Sequence, residues 1–369
     1  MAQRTTQRIS FRVETLETRE LLSTVSAPPV SVAAPTAELQ YALELTNAVR
    51  TNPGAGFNQI TANISPSTQQ TLDYYGVNLQ QEKQSISGMQ ARQPLAWNTQ
   101  LAQAAQSHSQ DMAVNGYQSH TGSNGSSSND RMTSAGYTGA IRTAENAYAY
   151  GESIDQNLQA FLLDWGVPDH GHLNNMLEPA NSGSNSFKEV GIGIVNANRS
   201  GFGTVMTQDF GVRANQSAEL VGVAFVDKNN DHAYSIGEGQ GGVVIQATAQ
   251  DGTVQAVQTA GPGGYQIPLQ PGTYQIRAFQ GNNLILNRTI QIKDQNQKLD
   301  VVLGESSPVV SPTSPVTQAQ LPIATVAPAP APVVAISRTA TVISNMTPAA
   351  TSTQTPGFSW NTWRTVPMA

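Results

Sequence analysis

The chain has no cysteine, which removes disulfide scaffolds, thiolate metal centres and cysteine nucleophiles together. Charge is scarce: Asp, Glu, Lys and Arg make up 12% of the 369 residues, about half the usual share. The formal net charge of -6 and a pI near 5.4 leave no basic stripe to neutralise phosphates, so nucleic acid is not an expected partner. No run of about 18 apolar residues occurs, and no membrane-spanning helix is expected. The N-terminus also lacks the apolar core of roughly 7 to 15 residues that an ordinary secretory signal carries. What remains is an amide- and hydroxyl-rich chain with 31 Gly and 21 Pro, a composition associated with an extracellular or cell-surface location.

Length and composition shifts predict two folded domains between disordered ends, over 1–36, 37–214, 217–303 and 304–369. Residues 24–36 read as a Pro/Ala/Ser linker, and the Pro/Ala/Thr/Val/Ser stretch from Ser306 to Pro356 as a tail that cannot pack a core. In the first domain, apolar spacing predicts helices over 38–50, 98–115 and 154–165, the first stopped by Asn52-Pro53-Gly54. His108 falls on the apolar stripe of the second helix and reads as a packed residue. Strand-like runs follow at 189–195 and 203–210, and helices on both sides of a small sheet would bury these stripes. Past Asn215, short alternating runs at 220–226, 242–247 and 272–278, separated by Gly-, Pro- and Asn-rich turns, predict a small antiparallel sandwich. The fold class is therefore α+β, an α-β-α sandwich followed by a small all-β sandwich.

Only five histidines are present, and two lie in three short islands: Ser119-His120-Thr121-Gly122, Ala144-Glu145-Asn146 and Gly171-His172-Leu173-Asn174-Asn175. His120, Glu145 and His172 could supply two imidazoles and a carboxylate to an open tetrahedral Zn²⁺ site with water in the fourth place. A His beside a carboxylate could equally act as a general base. The bland alternative is that the three groups hydrogen-bond one another and nearby backbone to hold loops in place. Neither a G-x-S-x-G elbow nor an H-E-x-x-H helix is present to favour hydrolysis.

Together with Leu45-Thr46-Asn47-Ala48-Val49-Arg50, Pro94-Leu95-Ala96-Trp97-Asn98 and Thr207-Gln208-Asp209-Phe210-Gly211, these islands resemble the CAP superfamily, also called SCP-like or PR-1-like. Gly166-Val167-Pro168-Asp169-His170-Gly171-His172 is similar to the bacterial variant of that family, and the resemblance covers roughly 38–214. It implies an α-β-α sandwich with a cleft lined by two His and two acids, of which His120, His172 and Glu145 match three. Pro168 stands where the second acid would fall, with Asp164 and Asp169 nearby but out of register. The family is linked to lipid binding, signalling and occasionally proteolysis, without one common activity.

The run from Asp227 to Glu238 places oxygen-bearing side chains at loop positions 1, 3, 5, 9 and 12: Asp227, Asn229, Asp231, Ser235 and Glu238. With the Ala233 carbonyl at position 7, this is the donor pattern of a 12-residue calcium loop. His232 takes position 6, where a left-handed backbone is needed. An Asn/Asp-rich turn is the competing reading. Gly222-Val223-Ala224-Phe225-Val226-Asp227 before the loop, with Gly263-Gly264-Tyr265 and Pro271-Gly272-Thr273-Tyr274 after it, resembles the SdrD B-type, prealbumin- or CnaB-like modules of bacterial adhesins. Phe11 to Ser23 resembles the LEPR-x-LL type leader of exported bacterial proteins, with Thr18 in place of the proline.

These readings lead to an exported bacterial protein with a ligand- or metal-binding cleft and a calcium-binding adhesin-like module, read as non-catalytic. The partner would be a small ligand, a lipid, a glycan or a protein. Two alternatives remain open: a zinc-dependent or general-base hydrolase of the cell envelope, and a purely structural surface protein.

Overall fold

The computed structural model describes residues 34–178, 185–199 and 201–304, so the expectations for the leader, most of the linker and the tail lie outside the described residues. Chain order explains the first part of the fold. Thr36 caps α1 (Ala37–Thr51), its hydroxyl accepting from Leu39 N. Asn52 then ends α1 and caps α2 (Pro53–Ile60) by accepting from Ala55 N. The Asn-Pro-Gly stop is thus also a start, because Pro53 at the first helical position lacks an N–H that would have no partner anyway. Helices α3 (Pro66–Tyr75) and α4 (Leu79–Ser87) follow, then β1 (Ala96–Trp97), α5 (Thr99–Asn115), α6 (Ser128–Ser134), β2 (Ala140–Gly151), α7 (Ile154–Leu163), α8 (Gly171–Leu177), β3 (Glu189–Arg199) and β4 (Phe202–Arg213).

These strands form one sheet in the order β1-β3-β4-β2, with β1 parallel to β3 and the remaining pairs antiparallel. Strand alternation divides its two faces. On one face Ile192, Met206, Phe210 and Val212 join α1, α2, α7 and α8 in the main core around Leu43, Phe57, Leu158 and Phe161. On the other, Ala147, Ala149 and Val205 meet Met112 of α5. The sheet admits α5 closely because β3 carries glycine where the helix crosses. A Cβ at Gly191 would lie 1.9 Å from Ala102 N, and one at Gly193 2.2 Å from Gln106 N. The α-β-α sandwich expected from the apolar stripes is what forms.

The second part is all β. Strands β5 (Ala218–Val226), β6 (Val244–Ala249), β7 (Val254–Gln258), β8 (Gly264–Leu269), β9 (Gly272–Gln280), β10 (Asn283–Ile292), β11 (Gln297–Lys298) and β12 (Val301–Leu303) follow in order. One sheet runs β10-β9-β6-β7, and in the other β5 pairs with β8 on one side and with β11 and β12 on the other. Tyr274, Ile276 and Ala278 alternate inward along β9 and pack with Leu220, Ile245, Ile267 and Val301.

The two parts share a polar, buried junction. Trp97 N donates to Gln266 Oε1 at 3.0 Å and Gln266 Nε2 donates back to Trp97 O at 3.2 Å. Asn296 donates from its backbone to Gln93 Oε1 and from its amide to Pro94 O and Lys188 O. Lys298 lies 2.8 Å from Glu44 Oε2 of α1. Tyr41 of α1 packs against Val223, Phe225 and Tyr234.

Candidate functional site

The candidate site is built around β2, the edge strand of the first sheet, at Glu145 and Asn146. Glu145 points to the α5 face and is almost fully buried. Its Oε1 takes the Nδ1 of His120 at 2.8 Å, and its Oε2 accepts from Arg131 Nη2 at 2.6 Å. Arg131, in the last turn of α6, also donates to His120 O and Ser126 O. A capping box of Ser127 and Asp130 opens that helix and so fixes where the guanidinium sits. Burial pushes the Glu145 carboxyl up, but the His120 hydrogen bond and the charge and hydrogen bond of Arg131 outweigh it and hold the group below the usual range.

The segment after α5 carries His120. Asp111 anchors it by accepting from Ser123 N, Ser123 Oγ, Asn115 Nδ2 and the Tyr117 hydroxyl. Those bonds overcome partial burial and lower the Asp111 pKa to about 2. His108 is fully buried, as its place on the helix stripe predicted. Its Nε2 lies 2.7 Å from Ser119 O, a contact in which the ring N–H donates. Burial pushes its pKa down, so it is a neutral strut beneath the His120 segment.

His172 is placed differently. α7 ends at Asp164 with a left-handed φ of 50°, and this turn carries the carboxylate to the start of α8. There Asp164 accepts from His172 N at 2.8 Å and Leu173 N at 3.1 Å, and its other oxygen takes His172 Nδ1 at 2.6 Å. The ring of His172 also lies on Phe161, 5.3 Å between centroids. Asp164, which stood out of register in the sequence, thus partners the second histidine.

Two imidazole–carboxylate pairs result, His120 with Glu145 and His172 with Asp164. Asn146 Nδ2 donates to His172 O, and Asn175 Nδ2 donates to Glu145 O and Asn146 Oδ1, so α8 is tied to β2 between the pairs. The three side chains read as one ligand set divide between these pairs, and among the described residues no group of three or more His, Cys, Asp or Glu side chains could hold a metal ion. Each pair spends an Nδ1 on a carboxylate and leaves Nε2 for a ligand. The His120 side chain is 60% exposed and that of His172 16%.

In the second part, the loop from Asp227 to Glu238 is organised by its own oxygens. Asp227 accepts from Asp231 N and His232 N, Asp231 accepts from Ala233 N, and Glu238 accepts from Lys228 N and Ser235 N. His232 takes a φ of 58°, the left-handed backbone that position 6 calls for. Tyr234 turns inward against Phe225 at 6.1 Å.

The sequence model of the cysteine-rich secretory protein family, CAP, matches residues 43–210. No curated protein matches the chain. Among solved structures, an extracellular protein containing an SCP domain from Bacillus anthracis str. Ames is 24% identical, with a TM-score of 0.26, over 41% of this chain and 44% of that one. The chain therefore spans under half the length of that relative. Residues 43–210 are a CAP domain.

Proposed function

We propose that this is an exported bacterial protein whose CAP domain binds a ligand at His120 and His172 without turning it over. The single observation behind the reading is the paired geometry. Each imidazole is fixed through Nδ1 by a buried carboxylate, which leaves an oriented Nε2 for a hydroxyl-bearing small molecule, a lipid headgroup, a glycan or a protein side chain. A divalent cation would use the same two nitrogens. Carboxylates that orient the far side of ligating imidazoles are the usual backing of such sites. Glu145 fits that backing role because both of its oxygens are engaged. Zinc bound there would supply a Lewis acid and a water of lowered pKa.

Zinc is the first probe, titrated into the full chain and into His120→Ala and His172→Ala. Stoichiometric binding that both variants lose identifies a cation centre. No binding by the unaltered protein turns the search to uncharged ligands. A ligand held equally well by all three proteins refutes the assignment of the site. A second reading, general-base hydrolysis, draws on the same pairing of His120 with Glu145; it predicts turnover lost in His120→Ala with the fold intact.

The loop from Asp227 to Glu238 is the proposed calcium site of an SdrD B-like module, with Asp227, Asn229, Asp231, Ser235 and Glu238 as side-chain donors and Ala233 as the carbonyl donor. Its support is the left-handed backbone at His232 and the arrangement in which Asp227 ties down the N–H of positions 5 and 6. Thermal unfolding of the full chain with calcium and with EDTA tests it, and identical transitions in both refute it.

A further inference from the structure

Asp209 of β4 plays no part in that reading, yet it lies immediately behind it. The side chain is fully buried. Its register partners are Glu145 across β2 and Gly191 across β3, so it shares the α5 face with Glu145. Directly opposed Cβ atoms of neighbouring antiparallel strands are about 4.5–5.5 Å apart. The helix closes the space above: Gly191 backs onto Leu101 and Ala102, and Ser109 Oγ lies 3.0 Å from Gly193 O and 2.9 Å from Thr207 Oγ1.

Neither oxygen of Asp209 accepts a hydrogen bond among the described residues. As a carboxylate it would be a buried charge without a donor, facing a second carboxylate, and both features are costly. As a carboxylic acid it has one O–H to give, and Glu145 is the acceptor in reach. Each Glu145 oxygen has two lone pairs, so one donor apiece from His120 and Arg131 leaves room for a third.

We propose that Asp209 is a neutral acid that donates its proton to Glu145 and so acts as a positioning residue for His120. The inference rests on the reading that His120 faces the ligand. The groups around Asp209 agree with it. From β2, Glu145 adds a negative charge; from α6, Arg131 opposes with a positive one; from α5, His108 is neutral and spends its Nε2–H on Ser119 O. Burial and then the charge of Glu145 hold Asp209 well above the usual carboxylate range, against the pull of Arg131.

The test uses the full chain at neutral pH with no ligand added. Infrared spectra of the unaltered protein and Asp209→Asn should differ by a protonated-carboxyl C=O band, present only in the former. Ring-nitrogen NMR should show His120 as the Nδ1–H tautomer in the unaltered protein and in Asp209→Asn, whose amide N–H replaces the acid O–H. Asp209→Leu, which donates nothing, should lose that preference at His120 while His172, held by Asp164, is unchanged and reports an intact fold. Should leucine prevent folding, as loss of the His172 signal would reveal, Asp209→Ala takes its place. Absence of the acid band overturns the proposal whatever the other variants show, as does a His120 unchanged when the donor is gone. Failure to find a ligand leaves these measurements untouched, so the two readings fail separately.

Discussion

Replacing Lys298 with methionine probes whether the CAP domain and the β-sandwich unfold together. Lys298 belongs to β11, yet its ammonium contacts Glu44 of α1 at 2.8 Å as well as both oxygens of Asp300. Its side chain is 15% exposed and that of Glu44 8%. Burial works against the charge on Lys298, but the fields of Asp300 and Glu44 overcome it and keep the group protonated. At 2.8 Å and an effective dielectric near 20, the gross attraction of the Lys298–Glu44 pair is about 6 kcal/mol, from 332/(20 × 2.8). Much of that is offset by desolvation, and removing one partner of such a pair costs roughly 3–5 kcal/mol because the other charge stays buried. For a folded region of this size that corresponds to a fall of roughly 10 °C in melting temperature. Glu44→Gln together with Lys298→Met should recover at least half of the loss, since the only charge then left without its partner is that of Asp300, whose side chain is 34% exposed. Differential scanning calorimetry of the full chain should show one transition that moves as a whole. A Lys298→Met protein that melts within about 2 °C of the original, or two transitions of which one stays put, would refute a cooperative junction.

Three further outcomes follow from the structure. Burial, with Glu189 adding to it, raises Glu219 from 4.5 to about 7; the folded state holds the extra proton between those values, so stability falls as pH rises through that window, and Glu219→Gln should flatten the fall, worth up to about 3 kcal/mol, in urea midpoints measured from pH 4 to 8. Gly193→Ala would put a Cβ 2.2 Å from Gln106 N and should cost about 3 kcal/mol or more in thermal unfolding; a neutral result would contradict the contact of α5 with β3. Asp164→Ala removes three hydrogen bonds at the start of α8 and should cost roughly 2–4 kcal/mol, whereas Asp164→Gly should cost about 1 kcal/mol less because glycine tolerates the φ of 50°. Equal losses for the two variants would show that backbone strain at Asp164 is negligible.

Apolar periodicity reached the long elements of this chain and passed over the short ones. The helices expected at 38–50 and 98–115 end within a residue of α1 and α5, because each has a side-chain cap and a sustained apolar stripe. Helices α3, α4, α6 and α8 bury one to three residues each, too few to print a period. β2 escaped notice for a related reason. It holds Glu145 and Asn146 on opposite faces, so polar residues interrupt the alternation where the site lies. His120, His172 and Glu145 were legible because His is rare and each sits in a compact motif. Arg131 and Asp209 were not, and Asp164 showed only as a nearby acid out of register. Asp164 reaches His172 only through a left-handed turn, Arg131 acts from a seven-residue helix, and Asp209 depends on strand register, none of which spacing alone reveals.

The edge position of β2 has a consequence for the chain's behaviour in company. An outer strand offers unpaired carbonyls and amides on which a second molecule can grow a sheet. Here Asn175 covers the Glu145 carbonyl and Gln118 Oε1 accepts from Ala149 N. The amide side chains that tie α8 and the His120 segment to the strand therefore also act as its plugs. Loss of Asn175 would loosen the site and uncover a template for self-association at the same place, so a variant selected for a more open cleft would carry an aggregation liability with it.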